Sequence, residues 1–337
     1  MSLSENRHEN GGILFCVPEE AQGWRLDKAL GLLLSAPTPE QQAERPDLFA
    51  LADLGLRARR RLCDRSLVLV NGKPGIPGLR LRAGQEIRIL PDPEAQAQDS
   101  MPEDAPCVVL RDEGLAAVYK PAGLHTSALA GSLAPNLEAM LTTLLPGEQA
   151  LRLLNRLDAP TSGLVLAACD EEAERRWHRA ERIGHADKLY LAVIEGQPLY
   201  EFTVRRRLDT DTRTKTRVRS SDDPDAVRHT DVTLLAPLTA AELPGLVDAE
   251  DPAAPLMLVG CRIRKGARHQ IRAHLAAAGH PLAGDALYGA ELHCPSGFLL
   301  HHGRVSLPGF SAARLPAWLA LLPETAQGQA RAFLEEA

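Results

Sequence analysis

Aromatic rings are scarce in this sequence: Phe, Trp and Tyr together make up 4% of 337 residues. A site that grips flat ligands by stacking would have to rely on one or two rings and on arginine planes. Long apolar runs are missing too. Charged or polar residues break every stretch short of the ~20 residues a membrane-spanning helix needs, so no membrane association is expected. The opening MSLSENRHENGG has no apolar signal core, and export is not expected. The six cysteines, Cys16, Cys63, Cys107, Cys169, Cys261 and Cys294, include no CxxC pair. That scatter fits reduced thiols packed as small hydrophobes in a cytoplasmic protein. His293-Cys294 and His301-His302 read as polar loop residues rather than metal ligands, and no metal is expected. No glycine-rich nucleotide loop is evident, so no cofactor is expected either.

An excess of positive charge is also lacking, for the formal net charge is −6. Taken alone this argues against nucleic acid as a partner. Net charge averages over faces, however, and the basic residues cluster. Arginines recur from Arg57 to Arg65, and residues 202–219, FTVRRRLDTDTRTKTRVR, are the densest positive segment. Such distribution matters more than the sum.

What is present is an ordinary globular composition, 45% hydrophobic and 24% charged, at a length sufficient for two domains. Residues 1–22 read as a tail and 23–91 as a small first domain. Residues 92–106, rich in Pro, Asp and Glu, read as an acidic linker, 107–310 as a second domain, and 311–337 as a C-terminal helical tail. In the first domain, Trp24 to Leu34 has helical periodicity, and Leu54 to Arg65 would form a helix with a broad arginine face that includes Arg59 and Arg60. Leu67 to Val70 is a strand running into an Asn71-Gly72 turn, and 81–89 is another.

In the second domain, strands at 107–111 and 115–119 flank Asp112-Glu113-Gly114. A rigid Lys120-Pro121-Ala122-Gly123 turn and a helix over 133–145 follow. Asp170 is placed to cap a helix over 171–182. Residues 188–196 and 256–264 read as strands, Ile271 to Ala278 as a short helix, and 299–301 and 304–307 as further strands. Between them, 220–228 and 241–255 read as loops.

The chain is organised around Leu151 to Ala168, LRLLNRLDAPTSGLVLAA. Its apolar flanks read as buried strands, and Pro160 and Gly163 punctuate a tight polar loop that carries Arg156 and Asp158. By residue type alone, a solvated turn with a capping Thr161 is the plain alternative. The stretch nevertheless resembles the H-R-L-D-x-x-T-S-G-L-L signature of RluA-type pseudouridine synthases, with Asn155 in place of the usual His. Further pieces follow in family order: KPAGL at 120–124, KLYLAVIEG at 188–196, and GARHQIRAHL at 266–275 with GHPLAGDALYG at 279–289. Residues 24–90 are similar to an S4 RNA-binding module, with RLDKAL, an arginine-rich helix, VLVNGK and LRAGQEI in order.

These resemblances imply an α+β fold: a catalytic domain on a mixed, largely antiparallel sheet, preceded by an S4-like module. They imply RNA as the partner, ribosomal RNA of the 23S type before transfer RNA, and a monomer. They place the catalytic carboxylate at Asp158, its arginine partner at Arg272, a base-stacking tyrosine at Tyr190 and a base-displacing arginine at Arg156. Lys120, Arg268, Gln270, Arg59 and Arg60 are candidate RNA contacts. The reaction breaks N1–C1′ of a flipped-out uridine, turns the base and joins C5 to C1′. A carboxylate suits it as nucleophile or as counter-charge at C1′, through either an acylal or a glycal. The rivals are an RNA-binding or ribosome-assembly protein without catalysis, and a glycosidase-like hydrolase, which would want a second carboxylate near Asp158.

Overall fold

The ten-stranded sheet that carries the site belongs to the larger of two units in a computed structural model, which describes residues 13–35, 56–64, 66–90, 105–129, 134–148, 150–212 and 214–335. The first twelve residues of the expected tail, the loop after the first helix and nearly all of the acidic linker lie outside the described residues. One unit takes the chain up to Met101 together with Ser127–Asn136, and the other takes Pro102–Thr126 and Leu137–Ala337.

In the N-terminal unit, β1 (Ile13–Cys16), β2 (Val68–Val70), β3 (Lys73–Pro74) and β4 (Glu86–Ile89) form an antiparallel sheet in the order β1-β4-β2-β3. Asn71 and Gly72 both take positive φ, 48° and 76°, as a tight hairpin turn requires. Helices α1 (Leu26–Ser35) and α2 (Leu56–Asp64) share a core with this sheet: Leu26, Leu30 and Leu62 are buried with Val68, Ile87 and Ile89. The buried Asp27 carboxylate clamps the helices by accepting Arg60 Nε at 2.7 Å and Arg25 Nη2 at 2.9 Å. The hydrogen bond from Arg25 is the main cause of a lowered Asp27 pKa.

The C-terminal unit opens with β5 (Cys107–Asp112) and β6 (Leu115–Lys120), then helix α3 (Leu137–Leu144) and β7 (Arg152–Leu153). Strand β8 (Ser162–Ala168), helix α4 (Glu171–Arg182) and β9 (Asp187–Glu195) follow. Next come β10 (Phe202–Val204), β11 (Arg206–Asp209), β12 (Arg217–Asp222), β13 (Thr230–Thr239) and β14 (Pro255–Ile263). Helix α5 (Gln270–Ala277), β15 (Leu300–Leu307), β16 (Phe310–Ala313) and α6 (Glu324–Glu335) close it. The sheet order is β10-β13-β14-β9-β15-β8-β6-β5, with β16 beside β15 and β7 beside β8. Its pairings are antiparallel except β8 with β15. The expected α+β class with a mixed, mostly antiparallel sheet is what the chain adopts. Strands β11 and β12 form a separate hairpin.

Alternate residues of β9 divide the core, because successive side chains of a strand face opposite ways. Tyr190, Ala192 and Ile194 pack with Leu141 of α3 and Ile271 and Leu275 of α5, whereas Leu189, Leu191 and Val193 pack with Ala326, Ala330 and Leu334 of α6. The helical tail expected at 311–337 holds helix α6. Its strand and helix are part of the core, and a Cβ on Gly260 would sit 2.5 Å from the Phe333 ring. The two strands expected at 299–301 and 304–307 are also one strand, β15, with a register shift between His302 and Arg304 that reads from sequence as a break.

Candidate active site

The loop between β7 and β8 holds Asp158, and the surrounding chain fixes its backbone. Thr161 N–H donates to Asp158 O at 3.0 Å, closing a turn, and Gly123 N–H donates to Ala159 O at 2.8 Å. Thr126 Oγ1 both donates to Leu157 O at 2.7 Å and accepts Leu157 N–H at 3.0 Å. Asn155 accepts Leu166 N–H at 2.7 Å, so its amide ties the loop to β8. Gly163, the second residue of β8, has φ 119°, and a Cβ there would lie 2.4 Å from His302 O. Only glycine lets β8 and β15 run this close.

Helix α5 brings Arg272 to this loop from 114 residues away. Its Nη1 donates to Asp158 Oδ2 at 2.7 Å, while Nε and Nη2 fork onto Asp285 at 2.7 and 2.8 Å. The guanidinium lies between the Phe298 and Tyr288 rings, 4.4 and 5.1 Å from their centroids. Burial opposes the charge of Arg272, but the bonds to Asp285 and Asp158 outweigh it and its pKa is raised. A cation so held gives the neighbouring carboxylate a charge-assisted hydrogen bond. Asp158 itself stays 26% exposed, open to the cleft.

Tyr190 sits mid-sheet between Cys261 and His302. Its ring stacks on His302 at 4.4 Å and 14°. Burial lowers the His302 pKa to about 3, so this backing ring is neutral. Burial, with the Asp158 charge second, raises the Tyr190 pKa and keeps the phenol protonated. Its hydroxyl makes no hydrogen bond among the described residues. The cleft is lined by Arg156, Asp158, Thr161, Tyr190, His269 and Arg272. Arg156 is exposed at its rim, without a hydrogen bond or ion pair among the described residues.

Asp158, Tyr190, Arg272 and Arg156 thus converge, but other candidates do not serve as expected. Lys120, expected to reach an RNA backbone, is fully buried. Its Nζ donates to Pro121 O, Leu124 O and Ala159 O at 2.9, 2.8 and 3.1 Å, bracing the loop beneath Asp158. Burial brings its pKa down to about 7. Gln270 is also buried. Its amide binds Arg228 O at 2.9 Å and accepts Ala267 N–H at 3.0 Å, which makes it a brace rather than a substrate contact. Arg268 donates to Thr210 O at 2.9 Å and to Thr212 O, steadying the β11–β12 turn. In the N-terminal unit, Arg60 is engaged with Asp27 and the Arg59 guanidinium lies against Gly31.

Sequence reasoning singled out neither Asp285 nor His269 nor Tyr288. The available signal was the arginine itself, since a buried guanidinium needs more than one acceptor and Asp285 supplies it. Among the described residues no group of three or more His, Cys, Asp or Glu side chains is placed to hold a metal.

Residues 114–277 match the family model described as RNA pseudouridylate synthase. The ribosomal large subunit pseudouridine synthase D of Neisseria meningitidis is 29% identical over 300 residues, 87% of this chain and 69% of its own. The ribosomal large subunit pseudouridine synthase C of Escherichia coli is 28% identical over 243 residues, 68% of this chain and 70% of its own. Among solved structures, human RNA pseudouridylate synthase domain containing 1 shares the fold at a TM-score of 0.51 and 20% identity, covering 69% of this chain and 96% of that one.

Proposed function

We propose that this chain, an RNA pseudouridine synthase of the RluA type by its fold, its matching family model and its relatives, isomerises uridine through Asp158 and does so in the RNA of the large ribosomal subunit. The observation that carries the role of Asp158 is its geometry. One carboxylate, paired with a buried arginine, faces an open cleft beside a tyrosine hydroxyl that has no protein partner among the described residues.

The uridine must leave its stack to reach that cleft. Arg156, at the rim and free of protein ties among the described residues, fills the place the base leaves. Asp158 then either bonds C1′ as N1 departs or holds the developing positive charge there. After the base turns, C5 bonds C1′, releasing Asp158 from C1′ where it had bonded, and the C5 proton is lost to solvent while N1 takes one up. Tyr190, backed by His302, stacks on the base throughout. No second carboxylate needs to act as acid: Asp285, which shares Arg272 with Asp158, is spent on that arginine. This disfavours the hydrolase rival, which needs a proton donor at the leaving group.

Two relatives named for the large ribosomal subunit support this target. The first domain expected at 23–91, which lies within the N-terminal unit, serves as an S4-like RNA-binding domain in this reading. Its exposed Arg60 and the half-buried Arg59 lie on the helix that would meet phosphates. The protein works as a monomer in the cytoplasm.

Tritium release from RNA labelled at uridine C5 tests the assignment. Wild type is expected to release tritium from large-subunit ribosomal RNA and not from transfer RNA. Asp158→Ala is expected to release none while still binding. Binding without release by the wild type on either RNA would instead support a catalytically inactive binding protein.

A further inference from the structure

We propose that His269 and Tyr288 are positioning residues that set the orientation of the Asp158 carboxylate from an anchor on Thr216, in the turn of the β11–β12 hairpin. The inference rests on Asp158 being the reacting carboxylate.

Four groups stand in line. Thr216, buried at the end of the hairpin turn, donates its N–H to Tyr288 Oη at 2.9 Å. Tyr288 Oη lies 3.1 Å from His269 Nδ1. The far nitrogen of the same ring, Nε2, lies 3.5 Å from Asp158 Oδ1. Thr216 is held in turn, since its Oγ1 donates to Arg268 O at 2.8 Å, one residue before His269.

The relay requires the Tyr288 hydroxyl proton to go to His269 Nδ1 and not to Thr216 O. Tyr288 Oη accepts from Thr216 and turns its own proton toward Nδ1, which leaves Nε2–H facing the carboxylate. The other acceptor within reach of that hydroxyl, Thr216 O, is slightly farther at 3.2 Å. That order needs a neutral imidazole, with one donor and one acceptor. Burial, the largest effect on His269, lowers its pKa and favours that form.

Two further features distinguish this from an ordinary packed histidine. His269 takes φ 52°, a left-handed conformation that a non-glycine residue adopts at a cost, and such outliers gather at functional sites. The two oxygens of Asp158 are also held unequally. Arg272 fixes Oδ2 at 2.7 Å, whereas among the described residues Oδ1 has only the longer approach of His269. Rotation of a carboxylate about its last bond is soft, so one firm contact does not set its plane. The second contact does, and it leads back to the hairpin. That hairpin exposes Arg206, Arg207, Lys215, Arg217 and Arg219, and Lys215 Nζ lies 5.0 Å over the Tyr288 ring. Phosphates drawn to it act on the same tyrosine that steers the carboxylate.

The test is single-turnover tritium release on large-subunit ribosomal RNA by wild type, Asp158→Ala, Tyr288→Phe, His269→Ala, His269→Gln and the double variant His269→Ala/Tyr288→Phe. Thermal melts confirm folding. Tyr288→Phe keeps the ring against Arg272 and Lys215 and loses only the hydroxyl. It is expected to lower the rate at saturating RNA about tenfold while half-saturation changes less than twofold. His269→Gln, which can still offer an N–H, is expected to recover part of the loss in His269→Ala. The double variant is expected to be no slower than His269→Ala. Tyr288→Phe at the wild-type rate, a loss confined to half-saturation, or single losses that multiply would each overturn the relay while Asp158→Ala stays inactive. Release by Asp158→Ala would overturn the role of Asp158 and the relay with it.

Discussion

Lys120 carries a positive charge into a place water does not reach, and the consequence can be measured. Its pKa falls to about 7 through burial, whereas an unfolded chain keeps a lysine near ~10.4. Between those values the unfolded state holds a proton that the folded state has released. Stability therefore rises with pH over that window, by at most ~1.4 kcal/mol per unit, and is flat with respect to this group below about pH 7. Lys120→Met removes the rise. Urea midpoints at pH 7, 8 and 9 should climb for wild type and climb less for the variant, which also leaves three carbonyls without their donor. Lys188, buried against Trp177 and paired with Glu181, has its pKa lowered by burial too, so part of the climb remains. Residues of this kind mark the limit of the sequence. Asp158, Arg272 and Tyr190 are legible because their flanking patterns are long. Nothing local tells a buried lysine from a phosphate contact, because the carbonyl that settles it, Ala159, lies 39 residues on. Gln270 misleads for the same reason, since its partners Arg228 and His229 belong to another loop.

The elements were legible where one period persisted. Helix α4 runs from Glu171 to Arg182 as the sequence indicates, since an N-cap residue, acidic first turn and basic last turn all agree. Asp170 accepts Ala173 N–H at 2.8 Å, and the helix buries Trp177 against Leu164 and Leu166 of β8. Asp170→Ala is expected to cost ~1 kcal/mol of unfolding free energy. Asp170→Asn or Asp170→Ser should restore most of it, read as denaturation midpoints. Full stability in the alanine variant would show that packing at Trp177, not the cap, sets where the helix begins. The 202–219 segment was less legible, because β10 has only three residues, β11 and β12 are short, charged and largely exposed, and a basic run gives no period to count. The break in β15 misled for a different reason: an extra residue in a strand looks like a gap until its partner strand is seen.

At the scale of the molecule, a net charge of −6 coexists with a hairpin that presents cations beside the candidate cleft. Counterion release depends on the phosphates neutralised locally and not on total charge. Arg205, Arg207 and Arg217 are exposed and form no ion pair among the described residues, whereas Arg219 is paired with Asp209. Replacing the first three with Gln is therefore expected to weaken RNA binding most at low salt. The slope of log K against log salt should fall by about 2 to 3, at ~0.7 to 0.9 for each phosphate no longer neutralised. Replacing Arg175 alone, which sits on α4 with Glu171 and Glu172, should leave the slope unchanged. Filter binding across a salt series reads both. If the triple variant keeps the wild-type slope, the hairpin does not meet phosphates. The basic run then serves local ion pairs such as Arg219 with Asp209, and the N-terminal unit carries the electrostatic share of RNA binding.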